Sequence, residues 1–153
     1  MTTTNTVDNR RYLEEAIALA SKCTPKPTSF CVGAIIVDAD GTVLAGGYSG
    51  MHDPHDHAEE AALNELDDTS RARLATATLY TSLEPCSKRA SRPVTCTEHI
   101  LRTGIPRVVF ALSEPDLFVD CVGAETLRAA GVEVIQFEDL AEAAWGANRH
   151  LQR

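Results

Sequence analysis

Two short stretches hold the residue types that do chemistry. One is His57-Ala58-Glu59. The other is Pro85-Cys86, with nine residues between Cys86 and a second cysteine, Cys96. One imidazole and two thiols suit zinc, which takes nitrogen and thiolate sulfur in tetrahedral geometry; three protein ligands leave the fourth position to water, the mark of a catalytic rather than a structural site. A helix N-terminus lowers a thiol pKa and favours the thiolate that a metal needs. Thr95-x-x-Glu98 is a capping box, which puts Cys96 in the first turn of a helix. Glu59 is then the residue beside the metal that moves protons instead of binding the ion. Residues two apart on a helix point about 200° away from each other. His57 and Glu59 can therefore face one site only if His57 sits at the very start of its helix, with Asp56 as N-cap.

Plainer readings exist for each part. Asp56-x-x-Glu59 is itself a capping-box spacing, which gives Glu59 an alternative role as cap partner. Buried cysteine is frequent in cores. The conjunction favours zinc, because each segment follows an element that brings it to one sheet edge, where sites form in open α/β sheets. His52 and His55 precede the first segment; substrate contact and metal ligation compete there with a solvated loop position. Lys88, Arg89 and Arg92 lie between the two cysteines, with no acid from Ser87 to Thr95. They are either a solvated loop or a clamp for the phosphate of a nucleotide substrate. Ser49 and Gly50 are candidates to shape a pocket. Phe30, Tyr48 and Phe118 are candidates to stack on a base, against the commoner role of aromatics in the core.

The elements that must position these residues follow from the pattern of apolar residues. Asp8 can cap a first helix, with Val7 and Tyr12 as a hydrophobic staple, and Leu13, Ala16, Ile17 and Ala20 share one face. Val32 to Val37 reads as a strand, and Asp40-Gly41 turns it into a second, Thr42 to Ala45. A loop from Gly46 to Asp56 leads to an alanine-rich helix from about His57 to Leu66. Thr78 to Leu83 is a third strand. A helix from Cys96 to Arg102 is closed by Gly104. Arg107 to Leu112 is a fourth strand, Ala124 to Ala130 a helix stopped by Gly131, Val132 to Phe137 a fifth strand, and Leu140 to Leu151 a last helix. This alternation predicts a largely parallel sheet with helices on both faces, starting from one antiparallel hairpin.

The chain has 153 residues, 44% hydrophobic and 24% charged, which suits one domain around one core, with residues 1–7 as a flexible tail. A net charge of -8 gives an overall field that repels phosphate and argues against nucleic acid as partner. No apolar stretch approaches the ~20 residues of a membrane span. The polar start, Met1 to Arg10, lacks a signal-peptide core. The five cysteines are an odd number. Together these features predict a reduced, cytoplasmic protein in which Cys23, Cys31 and Cys121 are core or near-core residues rather than disulfides.

On these motifs the sequence resembles the cytidine deaminase-like superfamily of zinc-dependent deaminases, whose signature is H-x-E…P-C-x-x-C. Within it, the chain is most similar to the deaminase domain of riboflavin biosynthesis enzymes. The shared segments are Val32-Gly33-Ala34-Ile35-Ile36-Val37, His57-Ala58-Glu59, Leu83-Glu84-Pro85-Cys86-Ser87, Glu114-Pro115-Asp116 and Ala130-Gly131-Val132, with a basic insertion between the two cysteines. The resemblance covers nearly the whole chain. Two features depart from it. The cysteine gap is longer than C-x-x-C, and Ser29-Phe30-Cys31 stands where proline-asparagine-proline usually precedes the Val-Gly-Ala.

The resemblance implies a single domain, residues 1–153, with a three-layer α/β/α fold and a five-stranded mixed sheet. It implies Zn2+ held by His57, Cys86 and Cys96. It implies hydrolytic deamination of an aminated pyrimidine or related heterocycle, as base, nucleoside or nucleotide, with Glu59 carrying protons from water to ring nitrogen and to the departing amine. Substrate contacts are expected among Ser29, Phe30, His52, Ala58, Lys88, Arg89 and Arg92. The partner is a small molecule, and the assembly a homodimer or larger homo-oligomer. No reductase domain follows, so a bifunctional enzyme is not expected. Two alternatives stand beside this. Met51-His52-Asp53-Pro54 is similar to tRNA adenosine deaminases, although the charge and the wide cysteine gap speak against them. A zinc-stabilised domain without catalysis would not need Glu59.

Overall fold

The computed structural model describes residues 6–27, 29–86, 94–113 and 122–151. Helix α1 (Thr6–Ala20) leads into β1 (Gly33–Asp38), which is buried along its whole length. A turn at Gly41, with φ +89°, returns the chain as β2 (Val43–Tyr48). Next come α2 (Ala58–Asn64), the short α3 (Asp68–Arg71) and β3 (Ala77–Leu83). The second half runs α4 (Cys96–Thr103), β4 (Arg107–Leu112), α5 (Gly123–Ala129), β5 (Glu133–Gln136) and α6 (Ala141–Trp145). The sheet order is β2-β1-β3-β4-β5. Strand β1 is antiparallel to both its neighbours, whereas β3, β4 and β5 run parallel. The sheet is therefore mixed, and less parallel than element alternation predicts. Because β1 runs against β3 as well as β2, the hairpin contributes two antiparallel pairings.

Two close approaches identify the faces. A Cβ on Gly33 would lie 2.0 Å from the Ala16 carbonyl oxygen of α1, and one on Gly47 would lie 2.5 Å from the Ala62 nitrogen of α2. Gly47 pairs with Ala34, the residue after Gly33. Successive residues of a strand face opposite sides, so α1 and α2 cover opposite faces of the sheet. Each helix sits where a side chain is missing. Helix α6 packs with α1, and α4 with α2 and α5. The result is the three-layer arrangement.

Several boundaries differ from the sequence reading, each for a tertiary reason. Helix α1 already begins at Thr6, so Asp8 lies in its first turn instead of capping it, and the expected tail is partly helical. Strand β2 continues to Tyr48 through two glycines expected in a loop, because α2 packs directly on the bare backbone at Gly47. Helix α3 has no apolar period; its N-cap Asp67 accepts from the Ser70 N–H at 2.7 Å. The last helix is broken into α6 and two 3₁₀ turns. Asn148, in the second of them, is buried and grips residue 31 from both sides: its Oδ1 accepts from the Cys31 N–H at 2.6 Å and its Nδ2 donates to the Cys31 carbonyl at 2.9 Å.

One correction concerns the cysteines. Cys23 and Cys31 form a disulfide across a Cα–Cα distance of 5.5 Å. The chain between them folds back on itself, with Lys26 bridged to Ser29, and so brings its ends together. The argument for a reduced compartment loses its support with this pairing. Cys121 lies outside the described residues. No helix among the described residues is long and apolar enough to cross a membrane.

Candidate active site

The start of α2 decides which acid is free for chemistry. His57, not Asp56, is the N-cap, with extended backbone at φ -83° and ψ 156°. The capping partner moves with it: Glu60 Oε1 accepts from the His57 N–H at 3.0 Å. The box expected at Asp56 and Glu59 is therefore shifted by one residue. Asp56 is buried and its Oδ2 accepts from the N–H groups of His52 and Asp53, closing the turn that delivers His57. Glu59 is released from capping and goes into the site.

The second helix start follows the sequence closely. Thr95 caps α4, its Oγ1 accepting from the Glu98 N–H at 3.2 Å, and Gly104 closes the helix with φ +77°. Cys96 is the first helical residue. Cys86 follows the end of β3 and is tied to α4 three times. Its carbonyl accepts from the Thr97 N–H at 3.1 Å and the Thr97 hydroxyl at 2.7 Å. Its Sγ lies 3.3 Å from the Cys96 N–H. Glu84 holds the approach: its Oε2 accepts from the Ala124 N–H at the start of α5, at 2.9 Å.

These elements bring three donors together. His57 Nδ1 is 3.0 Å from Cys96 Sγ and 3.5 Å from Cys86 Sγ, and the ligand atoms of all three residues lie within 4.8 Å of one another. Among the described residues they are the group of His, Cys, Asp and Glu that could hold a metal ion. Tetrahedral zinc with bonds of about 2.1 Å to nitrogen and about 2.3 Å to sulfur separates these donors by about 3.6 Å. The Cys86 spacing already matches, and the Cys96 spacing would open by about half an ångström. Hydrogen bonding from Cys96, and then His57, holds the Cys86 thiol down at about 4 against the opposing effect of burial. That favours the thiolate. The donor set fits zinc.

Glu59 lies beside this cluster and is 3% exposed. Burial pushes its carboxyl up to about 7, only partly offset by the neighbouring His57. The Thr81 hydroxyl approaches its Oε2 at 3.5 Å. A carboxyl with a pKa near neutrality can both accept and release a proton at working pH.

The remaining candidates are scattered. Ala58 is fully buried under β2. Ser29 is exposed, its carbonyl 3.2 Å from His150 Nε2, and Phe30 packs partly against the core. His52 is exposed and pairs with Glu65 at 3.3 Å; His55 is exposed too. Tyr48 and Ser49 are half-buried at the end of β2. Lys88, Arg89, Arg92 and Phe118 lie outside the described residues, as does Glu114-Pro115-Asp116. The sequence reading missed Thr81, Glu60, Glu84 and His99, whose roles depend on neighbours distant in the chain. Glu84 carried a local signal in Leu83-Glu84-Pro85-Cys86, and Glu60 one in the capping spacing His57-x-x-Glu60.

Comparison with known proteins agrees with this geometry. Residues 6–112, which contain all three donors and Glu59, match the cytidine and deoxycytidylate deaminase zinc-binding region. The chain is 39% identical over 130 residues to a diaminohydroxyphosphoribosylamino-pyrimidine deaminase of Schizosaccharomyces pombe, a match covering 84% of this chain and 32% of the relative. It spans about a third of the length of the curated relatives it matches. Acinetobacter baumannii RibD superposes with a TM-score of 0.76 at 27% identity, covering 94% of this chain and 38% of that one. A C-terminally deleted Aspergillus oryzae Rib2 deaminase gives 0.76 at 28%, covering 91% and 89%. The five-stranded mixed sheet is that of the RibD deaminases. With its zinc-type donors beside a buried carboxyl and a family match over most of its length, the chain belongs to the cytidine and deoxycytidylate deaminase zinc-binding family.

Proposed function

We propose that this chain is a zinc-dependent hydrolytic deaminase of an aminopyrimidine, with His57, Cys86 and Cys96 as metal ligands and Glu59 as the catalytic proton carrier. The observation that carries the reading is Glu59, a buried carboxyl raised to about 7 beside three donors that can hold a metal. A zinc-stabilised scaffold would have no use for it, and burying it is costly. When bound, zinc lowers the pKa of a water in its open position, so that hydroxide is available near neutral pH. Glu59 would take a proton from the attacking water and deliver it to the ring nitrogen beside the amine-bearing carbon. After attack at that carbon, Glu59 would take the second proton from the new hydroxyl and pass it to the exocyclic amine, which leaves as ammonia while the C–N bond breaks and the carbonyl forms. Thr81 steadies the carboxylate from β3.

The relatives' names point to a phosphoribosylamino-pyrimidine of the riboflavin pathway as substrate. The basic run at Lys88, Arg89 and Arg92 supports a phosphorylated substrate by its charge. A homodimer or larger assembly belongs to the same reading and is checked by light scattering. The deciding experiment is ammonia release from a panel of aminated pyrimidines and purines, free, ribosylated and phosphorylated. Release is expected from a ribosylated, phosphorylated aminopyrimidine and not from Cys86→Ala. Activity that survives in that variant would sink the assigned roles.

A further inference from the structure

The Glu60 carboxylate spends its two oxygens on two different helices. Oε1 accepts from the His57 N–H at 3.0 Å, which is the capping role. Oε2 lies 3.1 Å from His99 Nε2 on α4. A carboxylate can only accept, so the ring presents its Nε2–H to it. Capping would need one oxygen and no partner on another element. His57 is three residues before Glu60, and Cys96 is three before His99, so each end of the contact is one helical turn from a proposed metal ligand. Glu60 is 6% exposed, so the bond is made where water competes weakly.

We propose that Glu60 and His99 form a clasp that holds the starts of α2 and α4 at metal-binding separation and thereby governs how tightly zinc is retained. Both are positioning residues. Neither belongs to the donor cluster, and the clasp rests on the zinc assignment but not on any substrate. Partners hydrogen-bonded directly to zinc-ligating side chains are worth about 10–100-fold in metal affinity, and that range bounds a clasp acting through the His57 backbone and α4.

The test loads the protein with zinc and follows release to a colorimetric chelator, with thermal unfolding of the stripped proteins measured alongside. Glu60→Ala is expected to release zinc about 10–100-fold faster. His99→Ala removes only the interhelical limb and gives a smaller acceleration. Its stripped form is expected to melt somewhat lower than wild type, because buried Glu60 loses this partner, and to remain folded at the temperature of the release assay. Glu60→Gln retains zinc nearly as wild type: its oxygen accepts from the His57 N–H, and its amide donates to His99 Nε2 once the neutral ring carries its proton on Nδ1 instead. The double variant Glu60→Ala/His99→Ala is no faster than Glu60→Ala alone, because the two residues act as one device. Release from His99→Ala at the wild-type rate overturns the clasp, and that variant decides the matter even if Glu60→Ala does not fold. Wild-type protein that takes up no zinc overturns the metal reading itself, a result distinct from equal release by all variants.

Discussion

Tyr80 and Thr81 are consecutive on β3 and point to opposite faces of the sheet. On one face, Tyr80 meets α1: its ring lies 5.3 Å from that of Tyr12, and its hydroxyl donates to Asn9 Oδ1 at 2.7 Å. Leu13, Ala16 and Ala20 complete a layer whose interior is apolar or hydrogen-bonded. On the other face, Thr81 looks toward Glu59 and the paired thiols. Both faces are buried and both carry apolar side chains, Ala62 and Ile100 among them on the second, but that second face also holds Glu59 and the two thiols. Apolar burial stabilises by roughly 25 cal/mol per Å², while a buried ionisable group lacking full compensation costs several kcal/mol. The α1 face therefore anchors the sheet, and the α2–α4 face holds residues that are poorly suited to a core and well suited to a reaction.

Substitutions can break that contrast from either side. The largest effect is expected from Glu59→Gln, which should lower deaminase turnover by about 10²–10⁴-fold in steady-state assays while zinc content stays at one per chain. Loss of zinc in that variant would mean that Glu59 is a ligand. Leu13→Ala, on the opposite face, should cost about 2–5 kcal/mol of stability in denaturant unfolding and leave turnover per folded molecule unchanged.

The metal-free protein sharpens the comparison through pH. Glu59 titrates near 7 when folded against an ordinary 4.5. Between those values the folded state holds a proton that the unfolded chain has released. That contribution to stability is full below 4.5 and is lost as pH rises through 7. Glu59→Gln keeps a neutral group, so above neutrality it should exceed wild type by up to about 3 kcal/mol and match it in acid. The charge of Cys86, whose pKa is held low by Cys96 and His57, is one of the causes that raise Glu59 and so forms part of this difference. Chemical denaturation of both proteins in chelator, across pH, reads it. A flat difference would show that burial does not strain this carboxyl. The smallest effect belongs to Tyr80→Phe, expected to cost about 1 kcal/mol with turnover intact; a loss of turnover would show that the two faces are coupled through β3.

Much of the site was legible because its signals are local. Thr95 and Glu98 announce a helix start within four residues, and Cys96 takes its place from that start alone. Strand β4 falls at the residues its apolar run indicates. The misreadings have a common cause. Asp56-x-x-Glu59 and His57-x-x-Glu60 are both capping spacings in the same five residues. Local pattern cannot choose between them. The choice falls to His57 and Glu60, since Asp56 is engaged in closing the preceding turn. The Cys23–Cys31 pairing was likewise illegible, because it depends on how the intervening loop folds back.

The sequence by itself determined the donor types, the zinc-type chemistry they suit, the order of helices and strands and the family resemblance. These are set by side-chain chemistry and by periodicity over a few residues. The tertiary structure alone decided that Glu59 is buried beside the Cys86 thiol and Thr81, that Gly47 is a seat for α2, and that Glu60 reaches His99 on another helix. Each of these joins groups far apart in the chain, and their distance and burial exist only once the sheet has brought them together.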